Sequence, residues 1–402
     1  MKRLLLSALI GLSVTTGLDA SSIFAPLGMG INVRQGSTRS IGIAGADAIL
    51  ADSVYFPLNN PAGWFNVGYT RYTASMNAVK LTGKDGTGTD VSDDFGFPNM
   101  AFAMPLYRSL GLGFAFEGVT DHEYLVFQRE TLTPIGGDSL YTVTRRVQGG
   151  GGLARVSANV GARIRPWLAV GVGVRYYFGK TERLYTLDFE DSQFYRSGEF
   201  LRHDFSGVGL SLGSIAELGK QWQLGGSLDL PTTLRVNTTL VVQGGDSLGL
   251  GKSNYGLPFG GRFGGAWSSE RHRFSGQGSF ALWNLTERKY GADDPYTLET
   301  DFAIGYERLP SRAPLEPWYQ RWIFRGGAHI AQYGIEVGGE PVRIIGLAMG
   351  MGIPLRTHPG VFDLAFTLDF RGSANQNGAS ERVIGLQLGF NSAERWFVRR
   401  QR

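Results

Sequence analysis

One pattern constrains this chain more than any other: apolar residues alternate with small or polar ones at a period of two over long stretches, and few helical stretches intervene. From Val361 to Phe370 the side chains of Phe362, Leu364, Phe366, Leu368 and Phe370 take one side, while Asp363, Ala365, Thr367 and Asp369 take the other. One such strand fits a sandwich as well as a membrane wall. Repetition distinguishes them, because the pattern returns about a dozen times. Leu110, Leu112, Phe114 and Phe116 oppose Gly111, Gly113, Ala115 and Glu117; Val170, Val172, Val174 and Tyr176 oppose Ala169, Gly171, Gly173 and Arg175. A closed barrel in lipid requires this: an apolar outer face, a polar lumen and every backbone group paired.

Period two places about fourteen strands, near 66–82, 97–107, 109–132, 139–163, 167–189, 197–217, 221–243, 256–268, 271–285, 298–309, 321–334, 341–354, 360–372 and 380–391. The expected fold is an all-β, transmembrane antiparallel β-barrel with an N-terminal plug. An even count returns both ends to one side, and such barrels pair short periplasmic turns with longer external loops. The stretch LTGKDGTGTDVSDDFG is read as the first external loop, and QGGDSLGLGKSN as a later one. Trp167, Trp222, Trp267, Trp318 and Trp322 all fall beside assigned periplasmic turns, where amphipathic rings favour the membrane boundary. The third to seventh strands are longer than the about 9–11 residues a bilayer needs, so they should project outward as a rim.

Of 402 residues, 59 are Gly, none is Cys and the net charge is +4 with scattered positive charges. The glycines sit inside alternating strands, as lumen-facing or bend residues do. Nucleic-acid binding has no patch to support it. The start, with Lys2 and Arg3 ahead of a short apolar run, reads as an export signal over residues 1–20 cleaved near Ala20, although Leu18 is not the usual small residue three positions before the cut. Exported amphipathic strands without a long apolar segment point to the outer membrane of a Gram-negative cell. Residues 21–64 differ from everything after them: small residues at close spacing and little alternation give a short helix across Ala44–Leu50, a turn, and a plug or hatch for the barrel of residues 65–391. Gly385, Leu388 and Phe390 in the last strand have the spacing of a recognition signal for the barrel assembly machinery, followed by a basic tail, 392–402, expected in the periplasm.

The segment NNPAGW, with Asn60, Pro61 and Ala62 after the Gly/Ala-rich RSIGIAGADAILADS, resembles the FadL/TodX-type outer membrane transport family, and the ending LGFNSAERWFVRRQR is similar to that of its divergent Bacteroidetes-type members. The resemblance implies fourteen strands, an N-terminal hatch and uptake of long-chain fatty acids or other hydrophobic compounds. PorV/PorQ-like barrels of type IX secretion share the hatch motif and handle proteins, so a non-transporting scaffold is the alternative.

Five scattered histidines lack metal spacing, Asp85, Asp90, Asp93 and Asp94 read as a solvated loop rather than a Ca²⁺ site, and Ser279 with His329 is a weak hydrolase pair. Neither an enzyme, a metal site nor a cofactor is expected. Arg155, Arg163, Arg175, Arg262, Arg325, Glu117, Asp229, Glu307, Asp363 and Asp369 face the lumen on this register, where they pair with each other and pin the plug, or an arginine among Arg155, Arg175, Arg262 and Arg325 holds a ligand carboxylate beside Glu117. The run Gly149, Gly150, Gly151, Gly152 and Pro231 break their strands, as a bend or as a lateral gate. The expected partners are the lipid bilayer with its lipopolysaccharide, a hydrophobic small molecule and the assembly machinery, around a monomer.

Overall fold

The computed structural model describes residues 22–50, 55, 57–107, 109–132, 141–189, 197–242, 247–287, 290, 295–311, 316–355 and 360–394. The expected leader 1–20, most of the tail, and the external connections 133–140, 190–196 and 243–246 lie outside these residues.

Fourteen antiparallel strands close into one barrel. They are β1 (Thr70–Asp85), β2 (Thr89–Tyr107), β3 (Leu110–Asp121 and Tyr124–Leu132), β4 (Tyr141–Arg165), β5 (Leu168–Phe189), β6 (Ser197–Leu218), β7 (Trp222–Asp229 and Thr232–Val242), β8 (Ser247–Leu257 and Gly260–Ser268), β9 (His272–Ala281), β10 (Glu299–Arg308), β11 (Ile323–Val337), β12 (Glu340–Pro354), β13 (Gly360–Arg371) and β14 (Ala379–Glu394). Closure is made by β14 on β1, in register from Ala379 opposite Asp85 to Glu394 opposite Thr70.

The alternation resolves as the sequence requires. On β13 Phe362, Phe366 and Phe370 are exposed on the outside while Asp363 and Ala365 are buried inside; on β12 Ile345, Leu347 and Met349 face out. On β5 the outward residues are apolar from Leu168 to Phe178 and charged from Lys180, so the lipid-facing stretch has the length that crosses a bilayer, about 9–11 residues. Trp167, Trp222, Trp267, Trp318 and Trp322 mark its opposite end: Trp222 and Trp267 are directly paired across β7 and β8, and the Trp318 and Trp322 rings stand 4.5 Å apart.

Above the charged switch the wall continues as a crest made from the upper halves of β3 to β8. β3, β7 and β8 are each interrupted on entering it. In β7 and β8 the interruptions face each other: ladder pairing stops at Asp229 opposite Gly260 and resumes at Thr232 opposite Leu257, with Pro231 and Pro258 supplying no donor between. Among the described residues, the upper segment Tyr124–Leu132 pairs only with β4 and Ser247–Leu257 only with β7, so the crest carries two free edges.

Three expectations are corrected. LTGKDGTGTDVSDDFG is not a long loop: Thr89–Gly96 continues β2 against β1, and the connection is a tight turn over Gly86–Gly88, where Asp85 accepts from the Thr87 and Gly88 amides. SLGLGKSN likewise forms part of β8, since glycine-spaced Leu248 and Leu250 alternate as a strand does. The hatch helix is α1 (Thr38–Gly42), not Ala44–Leu50: Ser37 caps its start, and Ala44 and Gly45, with φ of 55° and 88°, leave the right-handed region and end it.

The described residues between 22 and 66 run along the inside of the barrel. Ser22 lies level with Glu381 near the outer end, Ile31–Asn32 pair with Asp121 and Thr120 of β3, α1 packs on β11 to β14, and a 3-10 turn, Pro61–Asn66, packs on β3 to β6 before the chain enters β1.

Candidate functional site

The hatch is seated by glycines and fastened by charges. Asn60 caps the 3-10 turn, its Oδ1 accepting from the Ala62 amide at 3.0 Å, while its Nδ2 donates to the carbonyls of Ala48 (2.8 Å), Gly226 (3.2 Å) and Ser214 (3.3 Å). The carboxamide thus ties the motif to hatch and wall together. Pro61 and Ala62 lie against Gly161, Gly171 and Gly213, and the fully buried Trp64 ring lies on Gly113. A Cβ at Gly171 or Gly213 would overlap Pro61 or Asn60, and one at Gly161 would stand 2.6 Å from the Phe65 amide. On the opposite wall Ile43 fills the space above Gly305 and Gly327. The lumen-facing glycines are therefore a mould for the hatch backbone.

Around this mould the inward charges pair. Arg39 of α1 donates to both oxygens of Glu307 at 2.9 and 2.7 Å; Arg325 donates to Glu307 at 2.9 Å, to Asp363 at 2.6 Å and to the Tyr55 hydroxyl at 2.6 Å. Tyr55 donates onward to Asp363 at 2.9 Å, as does Asn391 at 2.6 Å, and Arg273 reaches Glu307 at 3.3 Å. The Arg39 guanidinium stacks 4.7 Å over the Tyr55 ring. Hatch and wall share this buried cluster, in which each carboxylate is held by several donors.

Arg155 is fastened to Glu117, its direct cross-strand partner, at 2.8 Å and reaches Asn59 of the hatch at 3.1 Å. Arg175 and Arg262 both bind Asp229, the latter at 3.0 Å, at the break in β7. Arg163 pairs with Glu217 and lies 4.5 Å over the Phe65 ring. The sequence-predicted arginines and Glu117 thus form four separate paired groups along the bore, not one cluster. Ser279 and His329 line one lumen chamber of about 250 Å³, but the Nδ1 of His329 accepts from Arg34 at 3.0 Å.

Asp47, in the hatch, is pushed up to about 6 by burial, against a Ser40 hydrogen bond and the Arg39 charge. Because the docked value lies above the ordinary one, ionisation of this carboxyl opposes docking: its own contribution is fullest below about pH 4 and is lost as pH rises to about 6. Asp47→Asn is expected to flatten the pH dependence of thermal stability and to raise stability at pH 7 by roughly 1–3 kcal/mol; melting curves from pH 4 to 7 check it, and parallel curves for the two proteins refute it.

The second feature is a gap in the wall. β2 and β3 pair from Tyr107 opposite Leu110 only as far as Asn99 opposite Glu117. Beyond Gly118, β3 turns inward, still paired with β4, and its vacated edge is taken by the hatch: Ile31 and Asn32 pair there and the Val33 amide donates to the Val119 carbonyl at 3.0 Å. The glycine run makes room for the turn, since a Cβ at Gly149 would overlap the Tyr124 ring and one at Gly152 the Thr120 carbonyl. The β4–β5 ladder itself continues through Gly149–Gly152. A cavity of about 400 Å³ runs from Arg34, Ile41 and Asp369 in the lumen to Gly96, Phe97 and Pro98 at the gap, with Gly151 and Gly152 in its lining. Phe95 and Phe97 are more than half exposed on the outer face, below the first outward charge of β2, Asp93. The gap therefore opens at lipid level.

Residues Arg39, Tyr55, Asn59 and Arg34 carry this arrangement and were not singled out by sequence. A lone arginine in the small-residue run RSIGIAG was the available signal, because a charge so placed must be buried and paired.

A family model described as BamG matches residues 1–402. No curated protein matches the chain in sequence. Among solved structures, a Pseudomonas aeruginosa FadL homologue aligns over 91% of this chain and 100% of its own at 11% identity with a TM-score of 0.64. The Pseudomonas putida toluene transporter TodX aligns over 90% and 99% at 13% identity (TM-score 0.59), and the Ralstonia pickettii toluene transporter TbuX over 89% and 98% at 15% identity (TM-score 0.57). The chain belongs to the BamG family, and its fold is that of the FadL-type outer membrane barrels.

Proposed function

We propose that this protein is a hatch-closed channel through which apolar or amphipathic small molecules, long-chain fatty acids among them, pass between the lumen and the bilayer by way of the β2–β3 gap. The observation that carries the reading is the 400 Å³ cavity joining charged lumen residues to lipid-facing Phe97, a size within the roughly 300–1,000 Å³ of small-molecule sites. A ligand taking this route leaves its polar end at Arg34, Asp369 and Arg371 and its chain among Ile31, Val33 and Leu153. The toluene transporters that share the fold support the same class of cargo. The hatch is the plug: with its charges paired it leaves no reason for an open aqueous bore, and neither an enzyme nor a cofactor is invoked. Gly118 offers a direct test, since a side chain there meets only Val33, at 3.8 Å. Gly118→Phe is expected to fill the gap and lower toluene entry into proteoliposomes about tenfold, with the hatch still resistant to trypsin. Unchanged entry in a folded variant would refute lateral passage.

A second reading, a scaffold in contact with the barrel assembly machinery, is favoured by the BamG family match and by the free edges of the crest. Leu248 and Leu250 stand exposed on the Ser247–Leu257 edge, the kind of edge that recruits a partner strand. On this reading Leu248→Lys with Leu250→Lys abolishes co-purification of protein partners after mild solubilisation, while toluene entry is unaffected; equal recovery of partners by both proteins removes the edge from consideration.

A further inference from the structure

The crest encloses one ring that does not belong to its wall. Above the membrane, β5 to β8 align Thr181, His203 and Thr238 in one cross-strand row, Phe205 and Val236 in the next, and Tyr177, Leu234 and Tyr255 in the row nearest the bilayer. Tyr290, from the connection between β9 and β10, is buried against this face. The rings of His203, Phe205 and Tyr255 stand roughly perpendicular to its own, with centroids 5.2, 5.5 and 5.2 Å away and interplanar angles of 87°, 69° and 84°. Its hydroxyl lies 3.2 Å from that of Thr181. Leu234, Val236 and Met29 of the hatch belong to the same buried cluster.

Three rings set across a fourth, with a hydroxyl at its far end, make a receptor for a phenol, because edge-to-face contact recognises a π face and the hydroxyl recognises the polar tip. The wall does not need Tyr290 to stand, since β5 to β8 are joined at this level by their own ladders. The cluster also adjoins both lumen chambers. Leu153 lines the cavity of about 400 Å³ that reaches the β2–β3 gap, and Tyr177, Leu257 and Trp283 line the chamber of about 250 Å³. A solute held here stands at the outer head of both.

We propose that the inner face of the crest is a capture site for para-alkyl phenols, and that Tyr290, whose side chain is p-cresol on a backbone stem, is its resident occupant, displaced when such a solute binds. The inference rests on the channel reading and gives it a cargo class. An internal ring keeps the apolar face from water while no cargo is present. It also makes capture selective, since a solute must match the three rings and the Thr181 hydroxyl to compete with it.

The full chain, purified from outer membranes, labelled with fluorotyrosine and placed in lipid nanodiscs, tests this by ¹⁹F NMR. The Tyr290 resonance, assigned by its loss in Tyr290→Phe, is expected to shift saturably on titration with p-cresol. Tyr290→Ala removes the competitor and leaves the strand ladders in place; read at Tyr255, it is expected to bind p-cresol about tenfold more tightly than the native chain, as a site freed of a competing state does. The saturated analogue, a methylcyclohexanol of the same outline without a π face, is expected to bind about tenfold more weakly than p-cresol. A Tyr290 resonance that stays put, equal affinities of Tyr290→Ala and the native chain, or equal binding of the saturated alcohol overturns the proposal. Binding is read without transport, so toluene entry that ignores Gly118→Phe would sink lateral passage and leave the capture site intact.

Discussion

Replacing Arg325 with methionine is expected to open the barrel. The guanidinium is fully buried and donates to Glu307, Asp363 and Tyr55, so its removal leaves Asp363 with only neutral donors and Glu307 with Arg39 and Arg273. Breaking a buried pair from one side costs about 3–5 kcal/mol because the remaining charge stays desolvated. Most of this cluster belongs to the wall, which the closed ladder holds in place; the hatch contributes Arg39 and Tyr55 and is the part free to leave. We expect Arg325→Met to assemble, to conduct ions in planar bilayers where the native protein is silent, and to admit trypsin to Arg39. Arg325→Lys should fall between, since an ammonium keeps the charge and loses the fork that reaches two carboxylates. A silent, trypsin-resistant Arg325→Met barrel would mean that the charges do not hold the hatch.

The second large effect is expected from the wall glycines beneath the Asn60-Pro61-Ala62 turn. Gly171→Val introduces a side chain into the space occupied by the Pro61 backbone, and Gly213→Val one into the space of the Asn60 carboxamide. The Pro61 backbone cannot yield by rotating a side chain, so in Gly171→Val the turn must lift, costing roughly 3 kcal/mol or more, whereas in Gly213→Val the Asn60 carboxamide is driven off its cap and carbonyl contacts. Asn60→Ala loses the cap and three carbonyl contacts at Ala48, Ser214 and Gly226 without any clash, and should weaken seating by about 1–3 kcal/mol. Differential calorimetry separates the steps: a low-temperature transition for the hatch should appear in each variant, largest in Gly171→Val, while barrel melting stays put. If Gly171→Val melts as the native protein does, the glycine groove is not a seat.

Much was legible without coordinates. Fourteen strands, their faces and the tryptophan girdle followed from a two-residue period, because lipid on one side of a wall one strand thick fixes every outward side chain and leaves the lumen to the others. The inward charges were legible too, as Glu117 facing Arg155 and Glu307 facing Arg325 on neighbouring strands. Pattern reading failed where the chain departs from alternation in polar surroundings. Thr89–Asp94 reads as a loop since acidic residues cluster there, yet it alternates as a strand just above the lipid-facing Phe95, where the outer face is wet.

What the sequence alone determined is the wall: its strand number, its polarity and its place in the outer membrane. The tertiary structure decided the rest. That Gly171 and Gly213 exist for Pro61 and Asn60, that Arg39 meets Glu307 across 268 residues, and that β3 leaves β2 at Gly118 to pair with Ile31 cannot be read locally. Alternation is imposed residue by residue by the solvent on each side of a strand, whereas the fit of hatch to wall arises only after closure brings distant segments into one confined volume.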